Sequence, residues 1–396
     1  MMKTMKLKDI ATLITKGTTP TSIGFDFQNE GINFVKIECI DENGGFVSEK
    51  FDHISFECNE KLKRSQLQEN DILFSIAGAI GRTAIVNKSI IPANTNQALA
   101  IIRIPKGKIN YSFLLYALKS STLLEQAEKK KQGVAQLNLS LKDIGDFIIP
   151  DIPIEQQEHI ACVLDKINEL IHFRKKQLQQ LDELVKARFV EMFGDPVTNP
   201  YNLPVISLGD LSELITKGAS PSWQGYSYTD DSSQTLFVTS ENVREGYIDL
   251  TTPKYIEDGF NEKQKRSIIH KGDFLINIVG ASIGRAAQFN LECKANMNQA
   301  AALVRVSDKR ICDKYLLIYL NSDKAQLMYN SMKSDTGRAN LSLQDIANLS
   351  VLLPSIEQQI YFEKIVEQVD KSKFAVQKAL DEAQTLFDSL MQEYFG

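Results

Sequence analysis

LITKG, at Leu13–Gly17, is written a second time at Leu214–Gly218, and the words around it repeat in the same way. KRS stands at Lys63–Ser65 and Lys265–Ser267, and ANxNQA at Ala93–Ala98 and Ala295–Ala300. NLSLxDI stands at Asn138–Ile144 and Asn340–Ile346, IEQQ at Ile154–Gln157 and Ile356–Gln359, and FG at Phe193–Gly194 and Phe395–Gly396. The second copy follows the first by 201 residues for LITKG and by 202 for the other words. So many words in one register make the chain a tandem duplication. A duplicated fold is expected to form a pseudo-two-fold object, suited to a target with two separated halves.

The texture divides each copy in two. Residues 1–150 and 205–350 read as mixed α/β globular domains, with short β-branched and aromatic runs between Gly-, Asn- and Ser-rich loops. One helix is expected at Tyr111–Lys131 and its counterpart at Asp313–Met332. Ser140 with Asp143, and Ser342 with Asp345, have the spacing of a capping box.

From Glu155 to Phe193 there is neither Pro nor Gly, and apolar residues recur every seven. One row is Leu164, Ile171, Leu178, Val185, Met192; the other is Ile160, Ile167, Arg174, Leu181, Arg188. The second copy gives Val366, Lys373, Leu380, Phe387, Tyr394 and Phe362, Val369, Val376, Ala383, Leu390. Two rows in strict sevens define a coiled-coil seam, so the two helices, over 151–194 and 351–396, are expected to pair with each other. The three prolines of Gly194–Pro204 mark 195–204 as the hinge that restarts the second copy.

Composition excludes several classes. Of the 396 residues 43% are apolar and 24% charged, as in an ordinary globular protein, and the most apolar runs are too short to span a bilayer. There is no signal-peptide pattern, and the five cysteines form no CxxC, which fits free thiols in a reducing cytoplasm. The net charge of −5 conceals a pattern, because residues 51–150 and 251–350 each carry +4 while the helical segments are acidic. That excess permits nucleic-acid binding without demonstrating it. No P-loop is present. Asn199-Pro200-Tyr201 lacks the second proline of an adenine-methyltransferase corner, and Glu128-x-Lys130 and Glu292-x-Lys294 follow no suitable Pro-Asp. No catalytic or metal site is expected.

In their order, duplication and spacing, LxDIxxLITKGxxP, NLSLxDI, IEQQ, the long helix ending in FG and the FGDPVTNP hinge resemble the DNA-specificity subunits of type I restriction-modification systems. The resemblance covers essentially the whole chain, and copy one departs only in IPDIPIEQQ where copy two has LLPSIEQQ. It implies two target-recognition domains, separated by an antiparallel helix pair, each reading half of an interrupted duplex site. It also implies a cytoplasmic, non-catalytic chain without a cofactor of its own. Two modification subunits docked on the helices would methylate adenine with S-adenosylmethionine, and restriction subunits would add ATP- and Mg-dependent translocation and cleavage. The competing readings are a coiled-coil scaffold presenting two protein-binding domains, and an enzyme fused to its own recognition module.

The duplication also sorts residues. If the halves read different bases, side chains shared by both copies must be structural, contact phosphates or read a shared base. Lys16, Thr18 and Lys217, Arg64 and Arg266, and Arg82 and Arg285 are in that class, as loop cations and a hydroxyl near Gly-rich turns. Asn96-Gln97 and Asn298-Gln299 suit a buried amide network holding the adjoining strand, or else bidentate contact with adenine. Base reading is expected where the copies diverge: Ile23 and Phe25 against Trp223, Tyr226 and Tyr228, and Gln136 against Arg338.

Overall fold

The computed structural model describes residues 3–130, 138–332 and 340–396. They form two compact units, Met1–Gln177 with Val376–Gly396, and Leu178–Ala375. Each unit therefore takes one globular domain, the part of the long helix nearest it, and a stretch of the other repeat's helix.

In the first unit an antiparallel sheet runs in the order Leu13–Lys16, Leu99–Arg103, Ile72–Ser75, Thr83–Ile85. Its central strands are almost wholly apolar because both faces are covered. Ile72, Phe74, Ala100 and Ile102 face the helix that begins at Tyr111, and Leu73, Leu99 and Ile101 face the other way, toward Val35 and Ala93. Val35 and Ala93 belong to a second sheet, Asp52–Ile54, Ile32–Val35, Ala93–Thr95, whose last pairing is parallel. A two-stranded ribbon, Thr4–Lys6 with Ile148–Pro150, closes the domain.

The second unit repeats the plan. Its main sheet is Ser212–Lys217, Ala301–Val306, Phe274–Asn277, Ala286–Gln288, and its ribbon is Val205–Ser207 with Ser350–Leu352.

Several repeated words are structural devices. Gly17 lies so close to the neighbouring strand that a Cβ there would stand 1.7 Å from the Thr95 carbonyl oxygen, and at Gly218 1.7 Å from that of Met297. Only glycine fits such backbone contact. The last glutamine of IEQQ is a buried tie in both copies: Gln157 Oε1 accepts from Asn110 N–H at 2.9 Å, and Gln359 Oε1 from Cys312 N–H at 2.8 Å. It fixes the helix start to the domain despite the IPDIPIEQQ departure. Both capping boxes form, with Ser140 Oγ and Ser342 Oγ each accepting from an Asp N–H at 3.1 Å.

One expectation needs correction. The single helix at Tyr111–Lys131 is two, Tyr111–Lys119 and Ser121–Lys130, and its counterpart is Asp313–Leu320 and Asp323–Met332. Ser120 is extended (φ −65°, ψ 150°) and its hydroxyl accepts from Leu123 N–H at 3.3 Å, so a serine cap restarts the helix where periodicity alone sees no break.

The long helices Ile154–Phe193 and Ile356–Phe395 pair as expected, and they also pack on the domains. In the first unit Ile160 and Leu164 share one core with Phe395, flanked by Phe387, Leu390 and Tyr394. In the second unit Phe189 and Phe193 share one with Phe362, Val366 and Tyr315. Each seam is thus antiparallel, the start of one helix against the end of the other.

Arg188, a polar break in the heptad row, is exposed while Phe189 beside it is buried. Past Val185 the helix enters a globular core while still touching Phe362 and Val366 of its partner, and its buried residues Phe189 and Phe193 follow the 3.6-residue period of an ordinary helix. The seam lysine Lys373 is satisfied by an ion pair with Asp182. The five cysteines are all free, and among the described residues no helix is long and apolar enough to cross a membrane.

Candidate nucleic-acid interface

The strand registers bring the repeated polar residues together. Lys16 ends its strand opposite Ala100, Ser75 pairs with Leu99, and Thr83 pairs with Phe74. One end of the main sheet therefore gathers Lys16, Thr18, Arg82, Asn96 and Gln97. The NLSL word joins the same end, since Leu139 N–H donates to the Ile76 carbonyl at 2.9 Å. The second unit repeats this with Lys217, Arg285, Asn298 and Gln299, and Leu341 N–H donates to Ile278 O at 2.9 Å.

The cations at these ends are not equivalent. Lys16, Lys217 and Arg266 are exposed and, among the described residues, make no ion pair. Arg64 is exposed too, but its Nε donates to Thr15 Oγ1 at 2.8 Å. Arg82 and Arg285 are half-buried, and Arg82 donates to the Ile40 carbonyl at 3.3 Å. Lys36, in contrast, lies between Asp52 at 2.6 Å and Glu38 at 3.1 Å. The Asp52 hydrogen bond holds the Lys36 ammonium above the usual lysine range, and two carboxylates already satisfy it.

The amides divide differently from expectation. Asn96 and Asn298 are half-buried, and each accepts from the backbone two residues on, at 3.0 Å, shaping a turn. Gln97 and Gln299 are exposed, and Gln97 Oε1 accepts from Thr19 Oγ1 at 2.5 Å. The buried amide network belongs instead to Asn94 and Asn296. Asn94 receives Ser65 Oγ at 2.7 Å and donates to Asn59 Oδ1 at 2.9 Å, while Asn296 receives Ser267 Oγ at 2.8 Å and donates to Asn261 Oδ1 at 2.7 Å. The serine is the last letter of KRS, so two repeated words interlock.

In the divergent segment the structure shifts one pairing. Gly24 and Gly225 both close turns in the left-handed region (φ 80° and 82°), and Phe25 and Tyr226 N–H donate to Pro20 and Pro221. Trp223 therefore stands where copy one has Ser22, and Ile23 where copy two has Gln224. Phe25 and Tyr226 are partly buried under Lys61 and Lys263, and the Tyr226 hydroxyl donates to the Gly259 carbonyl at 2.9 Å. Ile23, Tyr228 and above all Trp223 remain exposed. Gln136 and Arg338 lie outside the described residues.

The chain does hold one GxSxG, Gly280-x-Ser282-x-Gly284, with the spacing of a nucleophile elbow. Ser282 lies in a turn between two strands rather than between strand and helix, and its hydroxyl accepts from Asn277 Nδ2 at 3.1 Å. That is a structural bond, without the base a nucleophile needs. Among the described residues no group of three or more His, Cys, Asp or Glu is placed to hold a metal.

Two mixed α/β domains, each with polar residues collected at one end of an antiparallel sheet and each followed by a long helix, are the architecture of a two-headed recognition protein. The type I restriction modification DNA specificity domain matches residues 1–183 and again 200–383, and the chain belongs to that family. It is 26% identical to the EcoBI specificity subunit of Escherichia coli over 76% of this chain and 67% of that one. To the EcoKI specificity subunit of E. coli K12 it is 22% identical, over 92% and 82%. The fold is similar to a chain of a type I R-M system solved in studies of complex assembly, with TM-score 0.62, 20% identity and coverage of 99% and 97%. It is also similar to the type I S subunit of M. genitalium, with TM-score 0.55, 16% identity and coverage of 100% and 96%.

Proposed function

We propose that this chain is the sequence-reading subunit of a type I restriction-modification complex, each domain binding one half of an interrupted duplex DNA target. The observation that carries this reading is the doubled sheet end, where Lys16 with Asn96 and Gln97, and Lys217 with Asn298 and Gln299, stand beside loops that differ between the copies. The shared cations hold phosphates, and the divergent side chains Ile23, Phe25, Trp223, Tyr226 and Tyr228, with Gln136 and Arg338, read bases.

The chain itself performs no reaction. Two modification subunits docked on the helix pair carry S-adenosylmethionine and methylate adenine, and restriction subunits carry ATP and Mg. The complex works in the cytoplasm, where the DNA is. A map of N6-methyladenine by single-molecule sequencing, with and without this gene, tests the reading. Loss of one two-part motif on deletion is the expected result, and an unchanged map in a strain with active partner subunits would refute it.

A further inference from the structure

Trp223 is the only tryptophan of the chain, and its side chain is 84% exposed. A buried indole anchors a core; an exposed one on a fixed mount is a contact awaiting a partner. The mount here is fixed from several sides. Tyr226 N–H donates to the Pro221 carbonyl at 3.0 Å, and Gly225 closes the turn at φ 82°. Lys263 Nζ donates to the Gln224 carbonyl at 2.9 Å and lies 5.3 Å from the centre of the Tyr226 ring. That ring in turn packs edge-on against Phe260 at 5.7 Å. Among the described residues Lys263 has no carboxylate partner, so a positive charge not offset by a carboxylate stands beside the turn that presents the indole.

The first repeat builds a similar turn with Gly24, Phe25 and Lys61, whose Nζ lies 4.7 Å from the Phe25 ring but also meets Glu57 at 3.5 Å. Its tip, however, is Ser22, whose hydroxyl donates back to the Thr19 carbonyl at 2.6 Å. The glycine turn and the lysine over the ring are duplicated, and the tip is not. Resting on the function proposed above, we infer that Trp223 is a specificity-determining contact of the second domain, its ring pressed against bases in one half of the duplex target. A flat ring flanked by a cation fits a nucleic acid, because phosphate takes the ammonium and a base takes the ring. The two half-sites are then read by unlike means, one with an aromatic wedge and one without.

Because the tryptophan is unique, fluorine NMR of the full chain carrying fluorotryptophan reports this position alone, even with unlabelled modification subunits bound. The probe is a duplex bearing the mapped motif, with binding followed independently by anisotropy of a labelled strand. The resonance is expected to shift in step with binding. Trp223→Ser, which leaves the melting temperature unchanged at so exposed a site, is expected to weaken binding about tenfold or more and to relax discrimination in one half-site only. Trp223→Phe is expected to keep most of both. Duplex binding with an unmoved resonance and a Trp223→Ser affinity within about twofold would overturn the inference, as would equal loss of discrimination in both halves. Failure to bind any duplex would overturn the proposed function itself, and the inference with it.

Discussion

Arg103 holds Asp71 through two hydrogen bonds of 2.7 Å, from Nε and from a terminal guanidinium nitrogen, and the carboxylate is only 1% exposed. A third bond runs to the Gln66 carbonyl at 3.1 Å. Arg305 repeats the arrangement on Asp273. These arginines are shared by both copies, and each ties its strand to a buried carboxylate and a neighbouring backbone carbonyl. Arg103→Met strands a buried carboxylate and is expected to cost about 3 kcal/mol of stability, as breaking such a pair usually does. Combining it with Asp71→Asn should recover part of the loss in urea denaturation, and equal losses for the single and double variants would remove the pair from the account.

Phe193 belongs to the first repeat in sequence and to the second unit in space. Its ring lies 4.9 Å from Tyr315 and 5.4 Å from Phe362, centre to centre. Phe193→Ala is expected to cost about 3–5 kcal/mol. Hydrogen exchange should quicken at Phe274–Asn277 and stay unchanged at Ile72–Ser75, and a loss centred on the first unit would contradict the exchange of helix ends.

Lys16→Ala and Lys217→Ala should leave melting untouched, since neither ammonium has a partner among the described residues. Each is expected to weaken duplex binding alike for all sequences and to lower the slope of log K against log salt by about 0.9. A change in the preferred bases instead would make these residues readers.

Seven residues inserted into each long helix lengthen it by about 10 Å, the rise of about three base pairs. The methylated motif is expected to keep both half-sites and gain spacer between them. Altered bases with the old spacer would contradict a measuring role for the helices.

Hydrogen bonds from Lys8 and Lys6 hold the Asp146 carboxyl at about 2, below its ordinary 3.8. An acid with a lowered folded value contributes stability above the ordinary value and loses it as pH falls toward 2. The tie between the first ribbon strand and the helix Leu141–Gly145 is therefore expected to persist at neutral pH and to fail between about 4 and 2. Carboxyl NMR checks this, because Lys6→Met with Lys8→Met should return the midpoint toward 3.8.

The repeated words were legible because most of them satisfy a local demand in both copies: a glycine where backbones touch, a serine–aspartate box, a glutamine at a helix entry. What escaped the reading depends on distant or cancelling geometry. Asn94 and Asn96 look alike in ANTNQ and would share one face of a longer strand, and only the end of the strand at Thr95 leaves Asn94 in the core and puts Asn96 in a turn. Ser120 interrupts a helix whose apolar pattern continues through it. The Trp223 pairing slips by one residue because the turn is aligned by Pro221 and Gly225, which a comparison by aromatic content does not weigh. The Phe189 and Phe193 contacts are invisible to heptad counting, since periodicity shows that a face is apolar and not what will cover it.

The second unit occupies one unbroken stretch of chain, whereas the first is assembled from two stretches with the second threaded between them. On a translating ribosome the order of completion is therefore inverted. The domain made first waits for Phe387, Leu390 and Phe395, the residues that flank or enter its core, while the domain made later already has everything it needs. A premature stop anywhere after Ala375 would harm the reader at the opposite end of the message.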